Sequence, residues 1–216
     1  MNDQAVKKRG RGRPRLDASD GRDDIKRAAL AEFAQHGFKG ASIDQIAARA
    51  GVAKRLIHYH FGSKDVLWKE AVSEAYDDFR NEVFAFATTL QGADAEDVTD
   101  AVVLQLVRFA AKRVELILIS IDENRQGGER SDWLRSTYLN PLQQLMASLL
   151  VSFVGDTERG KALAAHLIPG IFGTIIFPFV DATVVSEALD TDVFSDAYAE
   201  EHARFVARVL RAGLVA

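Results

Sequence analysis

Apolar residues recur along this chain three and four positions apart, the spacing of helices that bury one face. Ile25, Ala29 and Phe33 fall one turn apart after Asp20, and the pattern stops at His36-Gly37, where a glycine can take the left-handed cap. A second helix starts at Ser42, with Gln45 three residues on in capping-box spacing and Ile46, Ala47 and Ala50 following. Gly51 interrupts, and the pattern resumes at once through AKRLIHYHF to Gly62. Two short helices joined by a tight glycine-containing turn make a helix-turn-helix. Ser63 then caps a long fourth helix, whose apolar face runs through Val72, Tyr76, Phe79, Val83, Phe86 and Leu90 to an end at Gly92.

The remainder keeps the helical rhythm. Val103, Leu106, Ala110, Val114, Ile117 and Ile121 predict one helix, and NRQGGERSD after it predicts a loop. Leu134, Tyr138, Leu142, Leu145, Leu149 and Phe153 predict another helix, which Pro141 must kink or restart. Residues 157–180 form an apolar helix, and residues 195–212 an amphipathic one through Tyr198, Phe205, Val206, Val209 and Leu210. No strand pattern or internal repeat interrupts this. The fold class is all-α: an N-terminal three-helix helix-turn-helix domain, followed by a larger helical C-terminal domain. Residues 1–18, polar and without apolar period, read as a disordered arm; the boundaries that follow are 19–65 and 66–216.

Composition adds two constraints. The 216 residues contain no cysteine, which removes disulfides, thiol catalysis and cysteine metal sites and fits a reducing cytoplasm, the expected location. Residues 1–24 have no apolar stretch of the kind a secretory signal carries. Residues 162–180 carry no formal charge, but they hold His166, two prolines and two glycines between Lys161 and Asp181. That reads as a buried core or interface helix rather than a membrane span.

Charge is divided unevenly. The chain has net charge −4, yet residues 1–65 sum to +6 and residues 66–216 to −10, and residues 7–15 alone hold six basic side chains. A basic N-terminal quarter on an acidic remainder suggests a polyanion partner for one end, double-stranded DNA above all. Lys54 and Arg55 open the third helix, where a major-groove reader meets base edges, and Arg55 can donate two hydrogen bonds to guanine. His58, Tyr59 and His60 lie further along, whereas Leu56, Ile57 and Phe61 point to the interior. Ser42 and Lys64 sit at helix starts and can hold phosphates.

Residues 42–64, SIDQIAARAGVAKRLIHYHFGSK, with the preceding ALAEFAQHGFKGAS, resemble the TetR family of transcriptional regulators. The shared features are a small hydroxyl residue before Ile-x-x-Ile-Ala, then Ala-Gly-Val, then an aromatic-and-histidine run ending Phe-Gly-Ser-Lys. Ala53 stands where members often have Ser or Thr, and His58 where they often have Tyr; both bear on which operator is read. RGRP in the arm resembles an AT-hook core, which would lay Arg13 and Arg15 in an A·T-rich minor groove; the other reading is a solvated tail that adds nonspecific attraction.

The resemblance implies that residues 66–216 bind a small effector and dimerise, with helices four to seven enclosing the effector cavity. The polar candidates for that cavity are Arg108, Asn124, Arg125, Trp133, Tyr138 and His166. Taken singly, each has a plain structural reading: solvated, core or loop cap. The last two helices would pair with those of a second copy, Gly170 and Gly173 allowing close approach and Phe205 and Val209 supplying apolar contact.

No catalytic set is visible. His166 lacks an identifiable nucleophile and acid, His58 and His60 stand about 200° apart on a helix and cannot share a metal, and no glycine motif follows a strand. No metal or cofactor is expected. The reading is a homodimeric DNA-binding regulator, a repressor released from a palindromic operator by a small molecule. The alternative is an architectural protein that uses its basic arm on A·T-rich DNA.

Overall fold

The computed structural model describes residues 18–90, 95–144, 147 and 157–215. The arm with Arg13 and Arg15 lies outside them, as do Gly92, Leu145, Leu149 and Phe153. The described residues form helices α1 (Ala18–Gly40), α2 (Ile43–Ala50), α3 (Lys54–Phe61), α4 (Lys64–Thr89), α5 (Ala95–Lys112), α6 (Val114–Gln126), α7 (Glu129–Leu134), α8 (Glu158–Val180), α9 (Ala182–Leu189) and α10 (Asp196–Val215). α1 breaks at Gly37 (φ 65, ψ 171), where the sequence places its end, before one last turn to Gly40.

Two hydrophobic cores organise these helices. The first joins Ile25 and Phe33 of α1, Ile46 of α2, Ile57 and Phe61 of α3, and Leu67, Trp68 and Val72 of α4. It continues into Leu116 and Ile119 of α6 and Leu134 of α7. The second joins Val103 and Val107 of α5, Ile175 and Phe179 of α8, and Ala199, Ala203 and Val206 of α10. The three-helix head is therefore packed on α6 and α7, and its core does not end at residue 65.

This arrangement explains where the helices depart from the pattern. The stretch 103–121 is two helices, broken at Arg113 (φ −129, ψ 34). Val107 and Ala110 before the break face the second core, and Leu116 and Ile119 after it face the first. The chain changes cores at Arg113, so the axis has to turn although no glycine or proline marks the place. The expected loop 124–132 shrinks to Gly127 and Gly128, which take φ 69 and 89. α6 runs up to them and α7 starts directly after. Arg135–Leu139 then forms a π-turn, with the Asn140 N–H donating to the Arg135 carbonyl. Widening the helix there relieves the clash that the Pro141 ring would have in a regular α-helix. α9 has no counterpart in the sequence pattern.

No single helix among the described residues is long and apolar enough to cross a membrane. Ile168–Val180 and Ala182–Leu189 reach that length only as a pair bent by 83°.

Candidate nucleic-acid interface and enclosed cavity

The helix-turn-helix is built by its caps. Ser42 Oγ accepts from the Asp44 backbone N–H at 3.2 Å, one residue short of the Gln45 amide that a capping box would use. Gly51 closes α2 in the left-handed conformation (φ 66, ψ 25), its N–H donating to the Ala47 and Ala48 carbonyls. α3 then starts at Ala53, whose side chain makes no capping bond. A serine or threonine there would satisfy one N–H and add about 1 kcal/mol.

Ile57 and Phe61 bury one side of α3 and Leu56 packs beside them, which leaves Lys54, Arg55, His58 and Tyr59 facing out. Tyr59 is 81% exposed and presents a large aromatic surface to solvent. Arg55 makes no hydrogen bond or ion pair among the described residues and presents a free guanidinium. Lys54 is partly committed, its ammonium 2.9 Å from the Asp44 carboxylate. His58 Nδ1 lies 3.4 Å from the Gly62 carbonyl.

Two candidates sit differently from the open contacts that the pattern suggests. His60 is half-buried, edge-on to Tyr59 and Phe61, and its Nε2 is enclosed without a partner. Lys64 donates to the Ala41 carbonyl at 2.7 Å and lies 4.7 Å over the Phe38 ring. Burial, and then the nearby Arg130 charge, lower its pKa.

The second region of interest is a partly open cavity of about 180 Å³ between α4, α5, α6, α8 and the segment after α7. Its walls are mostly apolar, with Phe79, Phe109, Ile117 and Phe172 among them. Tyr76, Ser120 and Asn124 bring the polar atoms. The Tyr76 and Ser120 oxygens are 2.6 Å apart, and Ser120 Oγ donates to the Leu116 carbonyl at 2.6 Å. Ser120's hydrogen is thus used on the backbone, so Tyr76 donates to Ser120. Burial pushes the Tyr76 phenol up to about 12, which keeps it neutral.

Of the sequence candidates, Asn124 lines this cavity and the other five do not. Arg108 lies 3.5 Å from Glu200 of α10, and Arg125 lies exposed beside Asp122, because each finds an acidic neighbour outside the cavity. Trp133 packs edge-on against Trp68 at 5.5 Å, in the first core. Tyr138 stacks on Tyr76 at 4.6 Å on the outer side. His166 is exposed on α8, neither core nor cavity. Tyr76, Phe79 and Ser120 line the cavity without standing out in the sequence, because their helical spacing is also that of ordinary core residues.

The outer face of α8 and α10 is open and apolar. A Cβ at Gly170 or Gly173 would meet nothing within 4 Å. Phe177, Phe205 and Val209 are 59%, 47% and 44% exposed. His202 lies among them, stacked on Tyr198 and bonded through Nε2 to the Thr174 carbonyl at 2.9 Å. Burial lowers its pKa, partly offset by that bond.

Residues 25–71, from α1 into α4, match the family model described as bacterial regulatory proteins, tetR family. The head of the chain is thus similar to TetR-family regulators. The chain is 31% identical over 107 residues to the HTH-type transcriptional repressor NicS of Pseudomonas putida, and that match covers 50% of each chain. The chain thus spans about half the length of this relative. The fold is shared over more of the chain. A TetR-like regulator from Rhodococcus sp. RHA1 superposes with TM-score 0.65 at 20% identity, covering 93% of this chain and 99% of the other. FadR of Bacillus subtilis, solved in complex with stearoyl-CoA, superposes with TM-score 0.63 at 17% identity, covering 88% and 98%.

The junction between head and cavity is polar as well as apolar. Glu123 of α6 is 1% exposed, and its carboxylate takes a hydrogen bond from Arg130 Nε at 3.0 Å. The Arg130 guanidinium lies 3.6 Å over the Phe38 ring of α1 and 3.6 Å from Asp65 at the start of α4. One side chain of α7 thereby touches α1, α4 and α6.

Proposed function

We propose that this chain is a homodimeric transcriptional repressor that leaves a palindromic operator when a small organic molecule occupies the cavity. The observation that carries the reading is the double use of α6. Ile117, Ser120 and Asn124 line the cavity, while Asp122 stands against Gly37 of α1 and Glu123 holds Arg130 against the head. α4 spans the same distance, with Trp68 in the head's core and Tyr76 and Phe79 at the cavity. A ligand that favours one position of α6 and α4 changes the placement of α3 by its preference between the two states.

The open apolar face of α8 and α10 supports pairing with a second copy. Pairing would set two α3 helices to read half-sites about one DNA turn or slightly more apart. In the DNA contact, Arg55, His58 and Tyr59 take base edges, and Ser42, Lys54 and Lys64 take the backbone, with Arg13 and Arg15 reaching the minor groove, while the enclosed His60 supports Tyr59. The repressor name of NicS and the ligand in FadR support the two halves of the reading, and DNA as partner puts the protein in the cytoplasm.

The test is binding of the purified protein to DNA from upstream of its own gene, against a scrambled duplex of equal composition near physiological salt. Selective binding that falls on Arg55→Ala supports a sequence reader. Equal binding to both duplexes by wild type and variant alike sinks it. A tight-binding ligand that leaves operator affinity unchanged sinks the coupling.

A further inference from the structure

A second hollow, of about 250 Å³, opens beside the first between α4 and the π-turn segment. Tyr76, Phe79 and Leu142 line both hollows and are the wall between them. Sites for drug-sized ligands run from ~300 to ~1,000 Å³. Neither hollow reaches that range alone, and the two joined fall within it. Phe79 and Tyr76 reach this wall on rotatable χ1 and χ2 bonds, so a ligand that joins the hollows displaces side chains rather than backbone.

The two hollows differ in what they can hold. No charged side chain lines the inner one. The hydrogens of both its hydroxyls are spent, Tyr76 on Ser120 and Ser120 on the Leu116 carbonyl. Their remaining oxygen lone pairs repel an anion, and Asn124 adds only a neutral amide. An ionised group has no place there.

The second hollow is lined by Arg80 of α4 and by Thr137 of the π-turn. Single π-turns within helices often mark functional sites. Arg80 pairs with Asp77 at 3.0 Å, an exposed contact of a kind that holds weakly. Asp77 lines a different groove, among Arg22, Lys26, Glu70 and Glu74. No carboxylate lines the second hollow itself, so an anion there competes with the exposed Asp77 pair for the guanidinium.

We infer that the two hollows are one site for an amphipathic monoanion, its apolar body in the inner compartment and its anionic head on Arg80. The inference rests on the reading of the chain as a ligand-responsive regulator, and it names the chemistry that the site selects. A planar carboxylate matches the guanidinium fork, and a cationic head is repelled.

Calorimetric titration of the full-length protein with octanoate, 1-octanol and octylammonium tests this. Octanoate should bind roughly tenfold or more tighter than 1-octanol, with octylammonium weakest, since a charge-assisted bidentate contact is added to the same apolar tail. Arg80→Gln should bring octanoate down to the 1-octanol affinity and leave 1-octanol unchanged. Leu142→Trp, which thickens the shared wall, should weaken octanoate and 1-octanol together, with folding checked by circular dichroism. Octanoate affinity unmoved by Arg80→Gln, or equal binding of all three probes, or binding of none of them, overturns the assignment. Loss on Arg80→Gln with no effect of a folded Leu142→Trp overturns the joining of the hollows. The operator assay above is independent of these titrations, so the regulatory reading stands or falls separately.

Discussion

Replacing Gly37 by alanine puts a number on the junction between the head and α6. Gly37 holds φ 65, ψ 171, a region that residues with a Cβ rarely enter. Holding an alanine there costs ~1–3 kcal/mol. Its Cβ would also stand 2.6 Å from Asp122 Oδ2, too close for any real contact. That carboxylate accepts from Gln126 Nε2 at 2.6 Å and from Arg125 at 3.4 Å, so moving it away loosens a hydrogen bond of ~0.5–1.5 kcal/mol. Together these put Gly37→Ala at roughly 2–4 kcal/mol destabilising. The assay is urea unfolding followed by far-ultraviolet circular dichroism, at one fixed protein concentration because self-association makes stability concentration-dependent. A second pair separates the two contributions. In an Asp122→Ala background the clash is gone, and Gly37→Ala should cost about 1 kcal/mol less than in wild type. A single-variant loss within ~0.5 kcal/mol of zero refutes the strain argument. An equal loss in both backgrounds refutes the role given to Asp122.

Arg55→Ala should weaken operator binding by ~1–3 kcal/mol while nonspecific binding changes little, measured by fluorescence anisotropy at constant salt. Lys54→Ala should cost less, since Lys54 already pairs with Asp44. Arg130→Ala strands the buried Glu123 carboxylate and should cost ~3–5 kcal/mol in denaturant unfolding. Adding Glu123→Gln should return part of that, and a double variant no better than the single one would contradict the pairing. His202 is held below the ordinary histidine value of 6.5, with burial the larger cause and the Thr174 hydrogen bond opposing. The unfolded chain therefore binds a proton that the folded chain resists, so stability from this group falls as pH drops below about 6.5 and levels off below the folded value. Urea midpoints at about pH 5 and about pH 7.5 should differ less in His202→Phe than in wild type.

The head was legible because its turns are made by short-range chemistry. Ser42, Gly51, Gly62 and Ser63 each end or start a helix by their own backbone needs, and a sequence displays such needs directly. The break at Arg113 was not legible, because Val103, Leu106, Ala110, Val114, Ile117 and Ile121 keep one period across it, while Leu116 and Ile119, which enter the first core, lie off that stripe. Helical spacing says that a residue is buried, not against what. The same limit hid the cavity: Tyr76 and Phe79 look like any apolar stripe, and only the packing leaves space beside them. Choosing polar residues as cavity candidates failed for Arg108 and Arg125 for a related reason, since a long cationic side chain near a helix surface finds an acid one turn or one helix away. The π-turn before Pro141 lies between these cases. The proline announced a disturbance, and the neighbouring helices decided its form.

Ala53 leaves α3 with an unfinished first turn. The amides of Lys54 and Arg55 have no protein acceptor in the free molecule, and a phosphate oxygen is the group best suited to take them. Folding of this turn is then completed from outside, by the surface being read. In solution its amides should trade hydrogen for deuterium fastest of any in α3. On a properly seated duplex they should be the first to fall silent, reporting docking directly from the backbone.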